Sequence, residues 1–229
     1  MTYGAGSIGK ASISTLSKDF RAQLCKVGGP YHLDNVAYTI EDVAKKAKQF
    51  LFEECYKREY PEPNESYFMG YRVCGYSAAG VLPEAWEIRI IGANCEDPKP
   101  LYAPDDFGPR WAGETEAIDR LVLGVGTKLQ EALVQLGANA AESAKVTKDL
   151  IDRLYVPLYL PAMPIQDAID LAEFLASTAA KFTQFNLRAP TVGGPIEVAT
   201  ITKHEGFKWV SRKHYYDAEF NIGVTDHVA

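Results

Sequence analysis

The chain has 229 residues, with 24 Lys and Arg against 30 Asp and Glu, a formal net charge of −6 and 47% hydrophobic residues. A chain of this length buries roughly 70–75% of the surface that its unfolded form exposes, so a sizeable core is expected. The acidic balance and the lack of a basic stripe exclude a dedicated nucleic-acid binder, which needs clustered Lys and Arg to neutralise phosphates. No run of about 18 apolar residues is present, so we expect neither a membrane nor a nucleic acid as partner.

The cysteines and histidines are scattered rather than paired. The four cysteines lack the short spacing of zinc or thioredoxin-like motifs, and no two histidines have the spacing of a metal-binding helix. The first ten residues also lack the charged start and apolar stretch of a secretory signal. We therefore expect free thiols in a reducing compartment, a cytoplasmic location, no metal and no cofactor.

The first half of the chain predicts two helices followed by two strands. A glycine-rich opening runs directly into a helical pattern from Ile8 to Leu24, and Thr39 is a predicted N-cap of a second helix that ends near Tyr60. The segments 67–77 and 85–91 have the composition of neighbouring antiparallel strands. The proline-rich stretch 95–109 is predicted to be a loop with at most an edge strand.

The second half predicts helices and then a hairpin. The pattern 114–136 is helical but broken near Gly124 and Gly126, and a further helix is expected over 140–154. The next helix is predicted over 165–185, with a core-facing stripe formed by Ile165, Ala168, Ile169, Ala172, Leu175, Ala176 and Ala179. Strands are expected over 196–202 and 207–212, joined by a turn at 204–206. Residues 213–229 are predicted to be a tail, in which the ending from Tyr215 is either a short strand or a trailing segment. Paired strands and grouped helices favour an α+β fold with antiparallel sheets.

Gly4, Gly6 and Gly9 match the G-x-G-x-x-G pattern. In one interpretation they cradle the pyrophosphate of a dinucleotide, which would make the protein an NAD-binding oxidoreductase. In another they form a structural turn that connects a strand to a closely packed helix and has no binding role. Only three residues precede the glycines, and two helical patterns follow where a dinucleotide fold needs a second strand.

Four segments together resemble proteasome β-type subunits and their bacterial relatives, within the N-terminal-nucleophile hydrolases. Residues 5–11 resemble the family's strand-to-helix turn, 67–76 its central strand pair, 111–115 the glycine turn before its third helix, and 192–201 its Gly-Gly turn and last strands. The resemblance covers most of the chain and implies one domain over 1–229, a four-layer αββα sandwich of two antiparallel sheets. The family has about 45 residues, including two strands, before the turn that this sequence reaches at Gly6. The implied fold is therefore incomplete at its N-terminus.

The resemblance also implies a function and site residues. The family attacks a peptide carbonyl with an N-terminal Thr, Ser or Cys whose own amine is the base. By resemblance, Gly6 supplies the oxyanion-hole N–H, and Thr115 and Thr191 fall near the family's accessory hydroxyls. The family's supporting aspartate has no counterpart among the three residues before Thr191. The expected function is a threonine-type peptidase subunit or fragment, inactive as it stands because the strand with the nucleophile is missing.

Thr2 would become an N-terminal threonine if Met1 were removed. It lies at the entrance of the glycine segment, with no Asp or Lys at useful spacing, so we predict an ordinary strand residue rather than the nucleophile.

The predicted partners follow from the same resemblance. They are like subunits in a ring or other homo-oligomer, and a peptide or protein substrate if the chain is active. A non-catalytic ring-assembly subunit is the alternative, because proteasome α-type subunits use this fold without a nucleophile. Missing strands would leave unpaired edges and an uncovered apolar face, so we expect poor solubility or obligate oligomerisation.

Overall fold

The computed structural model describes residues 1–103, 106–187 and 191–213. They form two compact units: Met1–Gly113 with Thr202–His204, and Glu114–Ile201 with the described chain from Glu205 on. The protein is a mixed α+β structure with antiparallel sheets, as the sequence predicted. No helix among the described residues is long and apolar enough to cross a membrane.

An antiparallel sheet forms the centre of the first unit. Strand β1 (Thr2–Gly4) pairs with β4 (Phe68–Gly75), which pairs with β5 (Glu84–Ile91), and the short strands β6 (Asn94–Cys95) and β7 (Lys99–Pro100) both pair with β5. The two predicted neighbouring strands are therefore confirmed. The short β6 and β7 are the edge pieces that the proline-rich stretch allows.

The second predicted helix is confirmed. It begins as α2 (Ile40–Lys48), continues as a π-helical segment (Gln49–Tyr56) and ends as α3 (Lys57–Glu59). The Thr39 hydroxyl accepts a hydrogen bond from the Asp42 N–H at 3.0 Å, so the N-cap works as predicted.

The first helix begins later than predicted. Helix α1 runs from Ile13 to Cys25, and the residues before it form a small hairpin of β2 (Ser7–Ile8) and β3 (Ala11–Ser12) instead of a helical turn. Gly9 in the hairpin turn has φ +57°, which a right-handed helix excludes. The Ser12 hydroxyl then caps the helix by accepting from the Thr15 N–H at 3.1 Å.

The helices of the first unit share one core with a single face of the sheet. Period-two alternation along β4 and β5 sends Met69 and Ile88 into this core and leaves Arg72 and Glu87 on the other face. Aromatic rings fill the space between α1 and the π-helical segment, where Phe20 and Phe50 stack with ring centroids 5.6 Å apart. Almost all of the buried apolar residues of this unit belong to one core: Ile8, Ile13, Leu16, Phe20, Tyr31, Ala44, Ala47, Phe50, Leu51, Phe52, Cys55, Tyr56, Tyr67, Met69, Ile88 and Ile90.

The second unit is helical and contains most of the last hairpin, of which Thr202 and the turn up to His204 belong to the first unit. Its elements are α4 (Glu116–Ile118) with a π-helical continuation (Asp119–Leu123), α5 (Leu129–Gln135), α6 (Ala140–Leu154), α7 (Ile165–Gln184), and the paired strands β8 (Val198–Thr202) and β9 (Gly206–Ser211). The break after the first helix is confirmed, because Gly124 adopts the left-handed conformation with φ +74°. The ambiguous ending from Tyr215 lies outside the described residues.

The predicted core stripe of α7 is only half right. Leu175 and Ala179 are buried, but Ile165, Ala168 and Ala172 in the N-terminal half of the helix are exposed. Helical periodicity identifies which residues share a face, but not how far a neighbouring element extends along it.

Substitution of Leu51 tests the core of the first unit. This side chain is fully buried beneath the sheet, so Leu51→Ala leaves a cavity and should lower the free energy of unfolding by about 2–5 kcal/mol. Val27→Ala is the matched control, because Val27 is 84% exposed and its truncation should change little. Urea denaturation of both variants measures the difference, and an equal effect would contradict the described core.

Candidate functional site

A sharp corner follows strand β1. The Ala5 N–H donates to the Phe68 carbonyl at 2.8 Å, and the Gly6 carbonyl accepts from the Ile13 N–H at 2.9 Å. These bonds fix the peptide groups on both sides of the Gly6 nitrogen. The Gly6 N–H itself has no acceptor among the described residues, and Gly6 is exposed. The corner therefore presents one fixed, unpaired backbone donor to solvent.

Tyr3 holds the strand that leads into this corner. Its ring occupies the space that a side chain at position 70 would need, so only glycine fits opposite Tyr3 in β4. The Tyr3 hydroxyl donates to Glu87 Oε1 at 3.0 Å, and the Arg72 guanidinium lies over the ring, 5.4 Å from its centroid. Burial and the hydrogen bond to Glu87 raise the pKa of Tyr3, so the hydroxyl stays protonated and continues to donate.

A buried ion pair lies beside Tyr3 on the same face of the sheet. Arg72 Nε donates to Glu87 Oε1 at 2.7 Å, and both side chains are only 6% exposed. Arg89 binds the other carboxylate oxygen at 2.6 Å. Burial raises the pKa of Glu87, but the hydrogen bonds from Arg72 and Tyr3 outweigh it and the net shift is downward. Glu87 is thus held ionised as the shared acceptor of three side chains.

The glycine pattern does not form a dinucleotide cradle of the usual kind. Gly4 ends β1, which is antiparallel to its neighbour, and Gly9 lies in the β2–β3 turn. Helix α1 begins only at Ile13, so no helix N-terminus directly follows the glycines to receive a pyrophosphate. This geometry weighs against the NAD-binding interpretation.

Thr2 lies within β1, opposite Tyr71, as an ordinary strand residue. Its nitrogen is in a peptide bond with Met1, so it is an amide and not a base. The predicted strand placement of Thr2 agrees with the structure, and its exclusion as the nucleophile stays a prediction.

A polar cleft of about 440 Å³ lies in the second unit. Thr191, from the segment after α7, donates its hydroxyl to Glu114 Oε1 at 2.7 Å across 77 residues of sequence. Thr115 does not line the cleft, and its hydroxyl donates to Asp119 Oδ2 at 2.6 Å. Of the two predicted accessory hydroxyls, only that of Thr191 therefore reaches this cleft. Gly6 and Thr2 belong to the first unit.

Glu116 organises the cleft. Its Oε2 accepts from the Thr127 N–H at 2.8 Å and from the Thr127 hydroxyl, and its Oε1 accepts from Arg120 Nε at 2.7 Å. The bond from the Thr127 hydroxyl contributes most to lowering the pKa of Glu116 to about 2, with Arg120 adding to the effect. The network was not predicted from the sequence. The four-residue spacing of Glu116 and Arg120 was a usable signal, but the distant Thr127 gave none.

The cleft contains both hydrogen-bond donors and acceptors, so its chemistry suits a ligand that carries both, such as an extended peptide. Lys128 and Asn186 line it together with the bonded groups, and Phe182 supplies an apolar wall. No group of three or more His, Cys, Asp or Glu in the described part of the chain could hold a metal ion.

Replacing Glu116 should change the acid stability of the protein. Because its pKa falls from 4.5 to about 2 on folding, ionised Glu116 stabilises the fold above about pH 4.5, and this contribution is lost as the pH falls towards 2. Glu116→Gln should therefore lower the melting temperature at neutral pH, and the difference from wild type should shrink in acid. Glu131→Gln, at an exposed position, is the control. A pH-independent difference would contradict the described network.

No protein-family model matches the chain, and neither the curated proteins nor the solved structures contain a match. Function is therefore inferred from the geometry and from the resemblance of the four segments.

Proposed function

We propose that this chain is a subunit of a proteasome-like peptidase assembly of the N-terminal-nucleophile hydrolase type, in which the Gly6 N–H stabilises the oxyanion. The observation that carries the proposal is the corner at Gly6, with its exposed and unpaired N–H between two anchored peptide groups. Amide cleavage passes through a tetrahedral oxyanion, and a fixed backbone donor that needs no reorganisation stabilises it well.

The layers of the first unit support the αββα sandwich as the fold. Helices α1 and α2 cover one face of the antiparallel sheet, and the other face carries Tyr3, Arg72 and Glu87. The proposal assigns a second sheet to this side and further helices to the outer layer, while Arg72 and Glu87 are already buried within the first unit at 6% exposure each. Long helix α7, followed by Gly193-Gly194 and strand β8, matches the order of the family's last helix and strand.

The proposal names no attacking residue. A peptide β-lactone is the suitable probe, because it forms an ester with the nucleophile of such enzymes and peptide mapping locates the modified residue. Labelling of an N-terminal residue would support the peptidase, whether that residue is Thr2 after loss of Met1 or a different N-terminal residue.

Two substitutions at Gly6 distinguish the effect of losing the N–H donor from the effect of adding a side chain. Gly6→Pro removes the donor, and Gly6→Ala keeps it. Apart from Gly6 itself and its two neighbours in the chain, no atom lies within 4 Å of the added methyl group, and Gly6 is not one of the glycines with positive φ. In an assembly that the lactone labels, we expect Gly6→Pro to slow labelling by about 10²–10³-fold and Gly6→Ala to have little effect. Circular dichroism confirms that both variants fold. Equal labelling rates for the two would contradict the oxyanion assignment.

A non-catalytic assembly subunit is the second candidate. The second unit exposes several large apolar side chains, including Phe174, Phe185 and Trp209, and patches of this kind mark interaction surfaces. An oligomer that is never labelled by the lactone would favour this function over the peptidase.

A further inference from the structure

The outer face of α7 carries a line of residues that we name the α7 stripe. Their spacing of three or four residues places them on one side of the helix, and the buried residues Leu175, Ala179 and Thr183 lie on average about 135° around the axis from it. The α7 stripe consists of Asp167, Asp170, Phe174, Thr178, Lys181 and Phe185.

The α7 stripe is open in the described chain. Phe174 is 50% exposed and Phe185 is 82% exposed, which is unusual for two aromatic rings on one helix face. Asp167 and Lys181 are exposed and form no ion pair within the described residues. A groove of about 640 Å³ lies beside the C-terminal end of the stripe, walled by Phe182, Phe185 and Leu187.

Charge is distributed unequally along the α7 stripe. Two carboxylates lie at its N-terminal end, one ammonium group lies towards its C-terminal end, and Phe174 lies midway between Asp167 and Lys181. Each of these two charges is seven residues from Phe174, or about 10 Å along the axis at 1.5 Å per residue. The stripe is therefore its own complement when a second copy is turned end to end.

We propose that α7 is the contact surface for a second copy of this chain, with the two helices antiparallel and the two-fold axis at Phe174. In this register Asp167 of each copy faces Lys181 of the other, and Asp170 faces Thr178. The two Phe174 rings meet at the axis, and a helix separation of 8–10 Å allows these side chains to touch. A two-fold axis makes the interface isologous, so each charge pair occurs twice.

Among the possible occupants, the charge pattern favours a second copy. A parallel arrangement would place the two Asp167 carboxylates opposite each other, which is unfavourable. An antiparallel second copy instead places a Lys181 ammonium group opposite each Asp167 carboxylate. This inference rests on the proposed function as an assembled subunit and names the face that one contact uses.

Charge reversal tests the register. Asp167→Lys and Lys181→Asp each place like charges opposite one another at two symmetric positions. We expect each single variant to raise the dissociation constant of self-association at least about tenfold, and the double variant to recover most of the loss. An equimolar mixture of the two single variants should associate better than either alone, because the mixed pair carries Lys on one stripe and Asp on the other. Analytical ultracentrifugation over a dilution series measures all four samples.

Glu173→Lys is the matched control. Glu173 is an exposed carboxylate of the same helix that lies about 100° around the axis from Phe174 and about 60° from Asp170, so its reversal should weaken association much less than reversal of Asp167. Circular dichroism and thermal melting show whether each variant folds.

The outcomes separate this inference from the proposed function. If wild type is oligomeric and the single reversals associate as tightly as wild type, the α7 contact is wrong and the oligomer forms through another surface. If the double variant folds but does not recover the self-association of wild type, the proposed register is wrong. If wild type is monomeric at every concentration, both the contact and the assembly function fail.

Discussion

The close approach of the Tyr3 ring to Gly70 is the contact on which the described site depends. Strand β1 has only three residues, and a strand so short is weakly held by its ladder alone. The ring packs where a side chain would otherwise stand, its hydroxyl binds Glu87, and Arg72 covers its face. These contacts fasten β1 to the sheet. The position of β1 in turn fixes the corner at Gly6.

The two faces of the sheet have opposite character, and this difference links the fold to the proposed function. One face is covered by helices and is apolar, whereas the other buries the Arg72–Glu87 ion pair. A buried ion pair adds little net stability, because desolvation of the two charges offsets their attraction, but breaking it leaves an unpaired charge. We propose that the pair fixes the packing of the side chains on this face of the sheet. In the proposed sandwich this is the face towards the second sheet.

The sequence predicted the elements whose signals are local. Thr39 marks its helix start with its own side chain, and the composition of β4 and β5 identifies them as strands. The late start of α1 was missed because a left-handed Gly9 and the Ser12 cap interrupt an apolar pattern that would otherwise continue as helix. The Glu116 network and the Tyr3–Gly70 contact join residues far apart in the chain, which spacing rules cannot reveal. The exposed half of α7 depends on what covers the helix, and a periodic pattern carries no such information.

The proposal that Gly6 serves as an oxyanion donor requires an N–H that is fixed and yet unpaired. Residue-resolved amide hydrogen exchange measures this directly. We predict slow exchange at Ala5 and Ile13, whose N–H groups are bonded, and exchange at Gly6 close to the rate of an open amide. Gly6 protection as strong as that of Ala5 would contradict the described corner and, with it, the oxyanion assignment.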